Sequence, residues 1–247
     1  MIFVTGDCHG DYKRFSSRTF PWQREMDRSD VVIVAGDFGY WDRSPEQEYW
    51  MRWLAAKDFT ITFVDGNHEN YDMLAELPVE YWNGGKVQFI QENVIHLMRG
   101  QMYLIQGKRF FTFGGARSHD IRDGILEADD PKLREKVRAL EQEGALYRIN
   151  HLSWWKEEMP REEEYDEGRQ CMEENGWSCD YVISHCAPSS IQALLSLGEY
   201  KPDELTKYLE EIRSRCQYKR WFFGHYHKDE PVDEKHELLY HQILRIV

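Results

Sequence analysis

No stretch of this 247-residue chain approaches the ~20 consecutive apolar residues that a membrane-spanning helix needs. The N-terminus also lacks the basic segment and long apolar run of a secretory leader, and enters strand-like sequence at once. Cysteine is scarce: Cys8, Cys171, Cys179, Cys186 and Cys216 make five, an odd number with no Cys-x-x-Cys pair. A secreted disulfide framework is therefore not expected, and a reducing compartment fits. The expectation is a soluble, cytoplasmic protein with no membrane partner.

Positive charge is in deficit as well. With 44 acidic and 31 basic side chains the net charge is −13, which repels polyanions at long range and provides no basic footprint for duplex nucleic acid. Small-molecule or nucleotide substrates are favoured as partners. Nucleic acid is disfavoured but stays open, because bound cations would reverse the sign locally. Repeats and low-complexity linkers are missing too, and 41% hydrophobic with 14% aromatic residues suits a globular protein. One domain over residues 1–247 is expected, with the oligomeric state left open.

What the chain does have is one local event repeated five times: a short apolar, β-branched-rich run that ends in a residue able to hold a metal. IFVT runs into Asp7 and His9, VVIVAG into Asp37, TITFVDG into Asn67, YVIS into His185, and WFFG into His225 and His227. In open α/β sheets, sites form outside the carboxyl ends of strands, where loops converge. Seven N/O donors delivered in this way imply one polynuclear metal site.

Alternation of strand and helix up to about Met73 argues for βαβ units, with a helix opening at Ser44-Pro45 and a capping box completed by Gln47. Between Leu77 and Gly115 the runs VQFI, VIHLM, MYLI and RFFTF, punctuated by glycine, read as hairpins that form a second, largely antiparallel sheet. Residues 116–180 look like a mainly helical insertion or cap over or beside the site. A helix opening at Asp130-Pro131 and stopped by Gly144 falls there, followed by an acidic run, Lys156 to Glu174, that reads as a solvated face. Helices are expected again from Ser189 and over Asp203 to Cys216.

In an extended segment, residues two apart point the same way, so Asp7 and His9 can grip one ion and His225 and His227 can do the same or diverge toward two. Asp37, after the central-looking strand, is the natural bridging carboxylate. Asn67 offers a neutral amide oxygen, and His185 completes the second ion. Cys8, between Asp7 and His9, should face away and pack. Donors of this kind, without thiolate, suit two divalent or trivalent ions, manganese first, with iron, zinc or nickel as alternatives.

Taken together, Asp7-x-His9, Gly36-Asp37, Gly66-Asn67-His68-Glu69, His185 and Gly224-His225-x-His227, in this order, resemble the calcineurin-like metallophosphoesterase family. The resemblance spans nearly the whole chain, is dense in residues 1–73 and 181–230, and is thin between. It implies an α/β fold, a two-sheet α/β/β/α sandwich with a dinuclear site at the strand ends. It also implies Asp7, His9 and His227 on the first metal, Asp37 bridging, and Asn67, His185 and His225 on the second. His68 corresponds to the family's non-ligand histidine, which contacts the scissile phosphate and protonates the leaving group. The implied activity is hydrolysis of phosphate mono- or diesters by a hydroxide held between two cations, with His68 and Asp37 as catalytic residues.

One departure stands out. Many members read Gly-Asp-x-x-Asp-Arg-Gly, whereas Tyr40 stands here where the second acid belongs. That acid orients the histidine or a phosphate-binding arginine, so its task falls to other residues, with Asp42 or Tyr40 as candidates.

Arg117 and His119, after RFFTFGG, are candidates for substrate binding at the rim, together with Asn67; a surface loop with a structural arginine is the competing reading. Asp11 could support His9. His96, His236 and His241 read as structural or exposed, His151 as a possible cap residue, and Trp154 and Trp155 as core. Two alternatives to the small-molecule esterase are a nuclease or nucleic-acid repair phosphatase using the same ions, and a non-catalytic scaffold on the same fold.

Overall fold

The computed structural model describes residues 1–247. Four short apolar strands build the first sheet's parallel centre: β1 (Ile2–Thr5), β2 (Val31–Val34), β3 (Thr60–Phe63) and β6 (Val94–Leu97). Two hairpin strands, β4 (Glu80–Trp82) and β5 (Gly85–Gln91), extend one edge, and β15 (Ile243–Arg245) closes the other antiparallel to β1. The second sheet holds β7 (Gln101–Ile105), β8 (Lys108–Phe113), β11 (Tyr181–Ser184), β12 (Arg220–Phe223), β13 (Glu230–Pro231) and β14 (His236–Leu238). Its order is β13-β14-β12-β11-β8-β7, with β8, β11, β12 and β14 parallel. A two-stranded ribbon, β9 (Ile125–Leu126) with β10 (Arg148–Ile149), stands apart.

Strand alternation sorts these apolar residues into layers. Ile2, Val4, Val31 and Ile33 meet Tyr181, Ile183 and Phe222 between the sheets. On the outer face of the first sheet, Phe3, Val32, Val34 and Phe63 pack under Met51 and Leu54 of α1 (Pro45–Ala55). On the outer face of the second, Phe111, Phe113, Trp221 and Phe223 are covered by α4 (Glu162–Glu174), α5 (Ser189–Leu195) and α6 (Glu204–Arg215). The layers run α/β/β/α. No helix is long and apolar enough to cross a membrane.

Two local expectations need correction. The hairpins from Leu77 to Gly115 do not form one sheet: β4, β5 and β6 join the first sheet, and the chain crosses at Arg99-Gly100 to start the second with β7. Within residues 116–180, α4 is no cap, because Tyr165 and Met172 are buried against the second sheet. The short α2 (Tyr71–Ala75) and the surface helix α3 (Leu133–Glu143), which buries no residue, complete the helices. Ser44 caps α1 as expected, but Gln47 turns inward to Tyr12 rather than back to Ser44.

Candidate metal centre

Six parallel strands deliver their carboxyl ends to one edge of the sandwich. Asp7 and His9 leave β1, Asp37 leaves β2, Asn67 and His68 leave β3, Ser118 and His119 follow β8, His185 leaves β11, and His225 and His227 leave β12. Ligand atoms of Asp7, His9, Asp37 and His227 all lie within 4.8 Å of one another. The Nε2 atoms of His9 and His227 stand 3.0 Å apart, and the Asp7 Oδ2 atom is 3.3 Å from His227 Nε2. This is the first set.

The second set shares Asp37. His185 Nε2 lies 3.3 Å from Asp37 Oδ2 and 3.3 Å from Asn67 Oδ1, while its Nδ1 donates to the Ala35 carbonyl at 2.8 Å. That last bond fixes the tautomer, leaving Nε2 as the free donor atom for an ion. His225 joins through its ring, next to His185, and its backbone N–H donates to Asp7 Oδ1 at 3.0 Å. His119 Nε2 stands 3.0 Å from His225 Nε2, and its ring stacks on Tyr200.

Do these residues fit metal ions? Asp37 is 1% exposed, its Oδ1 accepts the His68 N–H at 2.8 Å, and its Oδ2 is buried without a hydrogen-bond partner. Without metal, only the His185 and His9 imidazoles, at 3.3 and 3.6 Å, offset the charge of this unbonded oxygen, and a metal ion would meet it directly. The donors fit.

Backbone geometry shows how tightly the centre is prescribed. His9, Asp37, His225 and His227 have φ of 47°, 46°, 70° and 51°, a left-handed region that costs side-chain-bearing residues roughly 1–2 kcal/mol each. Glycines make room around them: a Cβ on Gly66 would lie 2.0 Å from Asp37 Oδ1, and one on Gly224 would lie 1.9 Å from Asp7 Oδ1. The local Gly-Asp, Gly-Asn and Gly-His pairs thus have a steric reason.

Charge follows from the same packing. Burial opposes ionisation of Asp7, but hydrogen bonds from His227 and His9 bring its pKa down to about 2. Burial likewise resists ionisation of Asp37, and the His185 charge overcomes it. For His185, burial disfavours the cation, yet Asp37 and Asp7 push its pKa up to about 10. Burial, helped by His185 and His119, drives His225 well below the usual imidazole range.

Several supporting residues escape a strand-end reading. Buried Arg14 donates to the backbone of Asp7 and, through Nη1, to the carbonyls of Gly6 at 3.1 Å and Tyr240 at 2.8 Å. Glu69 accepts backbone N–H groups of Phe38, Gly39 and Tyr40 at 2.5, 3.2 and 3.1 Å, pinning the loop after Asp37. Its place in the Gly-Asn-His-Glu string was the available signal. Asn67 Nδ2 donates to Ser118 Oγ at 3.3 Å, and Ser118 in turn bonds buried Glu158. Burial raises the Glu158 carboxyl, against bonds from Ser118, to about 7.

The remaining candidates divide. Arg117 is half exposed, leans toward Asp203 at 3.7 Å, and has no hydrogen bond or ion pair to the cluster. Asp11 caps a short turn by accepting the Lys13 N–H and does not touch His9. Cys8 is buried in the outer core, where burial lifts its thiol to about 12. Asp42 accepts the Ser44 N–H, and the Tyr40 N–H donates to Glu69. His96 is structural, held between Gln88 and Asp65.

A sandwich of two sheets that gathers carboxylates and imidazoles at six strand ends defines a metal-dependent phosphoesterase. The chain belongs to the calcineurin-like phosphoesterase family, whose model matches residues 1–229. Lariat debranching enzyme A of Xenopus laevis is 26% identical over 156 residues, covering 56% of this chain. The match covers 28% of that relative's length.

Proposed function

We propose that the protein hydrolyses phosphate mono- or diesters of a small molecule or nucleotide at a centre for two metal ions. Asp7, His9 and His227 would hold one ion, Asn67, His185 and His225 the other, with Asp37 between them. Manganese is the first choice, with iron, zinc or nickel as alternatives. When bound, two such ions lower the pKa of a shared water and neutralise charge in an in-line displacement. The observation that carries this reading is the orphaned Asp37 Oδ2 between imidazoles of both sets.

His68 supplies the proton in this reading. Its main chain is fixed at both ends: the N–H on Asp37 at 2.8 Å, and the carbonyl accepting Trp41 Nε1 at 2.8 Å. The imidazole itself has no protein hydrogen-bond partner and stays available to a substrate oxygen. Burial lowers its pKa, with Asp37 opposing. An arriving phosphate anion favours the protonated ring, which can then donate to the leaving oxygen.

The region around residues 120–155 borders this histidine and acts in our reading as the substrate-selecting wall. A polynucleotide phosphodiester is the second reading, supported by the likeness to a lariat debranching enzyme and opposed by the net charge of −13. The test is a panel of monoesters, diesters, cyclic nucleotides and oligonucleotides against added Mn, Ni, Zn and Mg. Metal-dependent turnover of at least one small ester is expected. A panel that stays blank with two ions bound per chain refutes the proposal.

A further inference from the structure

Beside His68 lies a cleft of about 430 Å3 whose walls include Trp41, Arg148, Leu152 and Trp155. Trp41 is 39% exposed although its indole is immobilised. Its Nε1 donates to the His68 carbonyl at 2.8 Å, and its own carbonyl accepts Asn70 Nδ2 at 2.7 Å. Leu152, 63% exposed, lines the same cleft, and buried Trp155 is anchored through Nε1 to Asp72 at 2.7 Å. A large aromatic face is thus held rigid and left open to water, next to the histidine that faces the phosphoester.

The opposite chemistry is also there. Arg148 donates through Nε to Asp120 Oδ2 at 2.9 Å and through Nη2 to the same oxygen, so the carboxylate fixes the guanidinium's plane. Nη1 has no protein partner. Asp120 offsets part of the charge, yet oriented N–H groups remain for an anionic oxygen. Flat apolar wall and fixed donor line one cleft.

We propose that this cleft is a leaving-group subsite for phosphoesters that carry a flat aromatic ring, with the ring stacked on Trp41 and a phosphate oxygen held by Arg148. The inference rests on the phosphoesterase reading above. It also gives Asp120 and Arg148 the orienting work left vacant where Tyr40 replaces an acid.

The test compares esters of matched leaving-group basicity, benzyl and ethyl phosphate, each also as its methyl diester, with the metal-loaded enzyme. Adenosine 5′-phosphate against ribose 5-phosphate asks whether the ring can be a nucleobase. Calorimetric binding of benzylphosphonate and ethylphosphonate gives a readout without turnover. Stacking on an aromatic side chain predicts about a fivefold or larger preference for the ring-bearing partner in kcat/KM and in affinity. Trp41→Ala should bring the benzyl-to-ethyl ratio toward one, and Trp41→Phe, which keeps a ring but loses the bond to His68, should retain it. Arg148→Met should weaken both phosphonates alike and leave the ratio in place. Ethyl ester turnover with a ratio near one in the wild type, or a ratio unchanged in Trp41→Ala, overturns the subsite alone. No turnover of any ester with metal bound overturns the phosphoesterase reading and the subsite with it.

Discussion

Replacing Asp37 by Asn isolates what one buried charge does in the metal-free protein. The amide keeps an oxygen to accept the His68 N–H at 2.8 Å, so the loop retains its anchor. What vanishes is the charge that, against the cost of burial, keeps His185 protonated up to about pH 10. A histidine raised in this way contributes stability that is complete below its unfolded value near 6.5 and is lost as pH climbs through the folded value. At about 1.4 kcal/mol per unit, wild-type protein in chelator should lose roughly 3 kcal/mol of unfolding free energy from this group between pH 6.5 and 9. In Asp37→Asn the more distant Asp7, 4.0 Å from His185 Nδ1, and the Ala35 carbonyl still support the cation. The variant's loss over that window should be less than half as large. Urea unfolding at half-unit pH steps measures both slopes, and titrations common to the two proteins cancel in their difference. Parallel curves would refute the assignment of His185 and Asp37 as a charged pair. Added Mn should stabilise the wild type strongly and the variant at least a hundredfold less well in apparent affinity, since even outer supporting groups are worth 10–100-fold.

His68→Ala should keep the metal content of the wild type and lose about 10²–10³ in kcat; equal turnover in a stopped assay removes the histidine from proton transfer. Gly66→Ala removes no donor atom, but its Cβ would sit 2.0 Å from Asp37 Oδ1 and 2.5 Å from Asp37 N. It should cost metal retention at least tenfold after gel filtration, and undiminished retention would mean the carboxylate is less confined than its packing shows. Glu158→Gln should gain relative to wild type between pH 5 and 8 by about 2.5 kcal/mol, because burial holds the carboxyl at about 7 in the folded state while it ionises near 4.5 when unfolded. Chemical denaturation at those two pH values shows whether the gain is there.

The parallel strands bearing Asp7, Asp37, Asn67, His185 and His225 are readable in the sequence because they are buried almost throughout, only Arg220 at the start of β12 being partly exposed, and such burial writes a strand as a short run rich in apolar and β-branched residues. Their convergence is readable for a topological reason, since parallel neighbours place their ends on one edge. Which sheet a hairpin joins is not local information. VQFI and VIHL pair with each other as expected, yet the partner that decides their sheet is β3, some thirty residues earlier, and nothing in either run specifies it. The same limit hides Arg148, which precedes no glycine and ends no strong strand, and meets Asp120 only because the β9–β10 ribbon folds back. Arg117 shows the converse limit. Its position after a strand run suggests the site, while the acid it lies beside, Asp203 of the α6 cap at 3.7 Å, comes from some ninety residues later, where no local pattern points to it.

β15 pairs with β1, Tyr240 offers its carbonyl to Arg14 behind Asp7, and the His225 N–H reaches Asp7 across 218 positions of sequence. During synthesis, then, a chain halted before β11 carries Asp7, His9, Asp37 and Asn67 but none of His185, His225 and His227. If two ions bind as proposed, the second would wait for donors delivered by β11 and β12, so a chain stopped short of His227 would lack a complete site however well its first strands had folded.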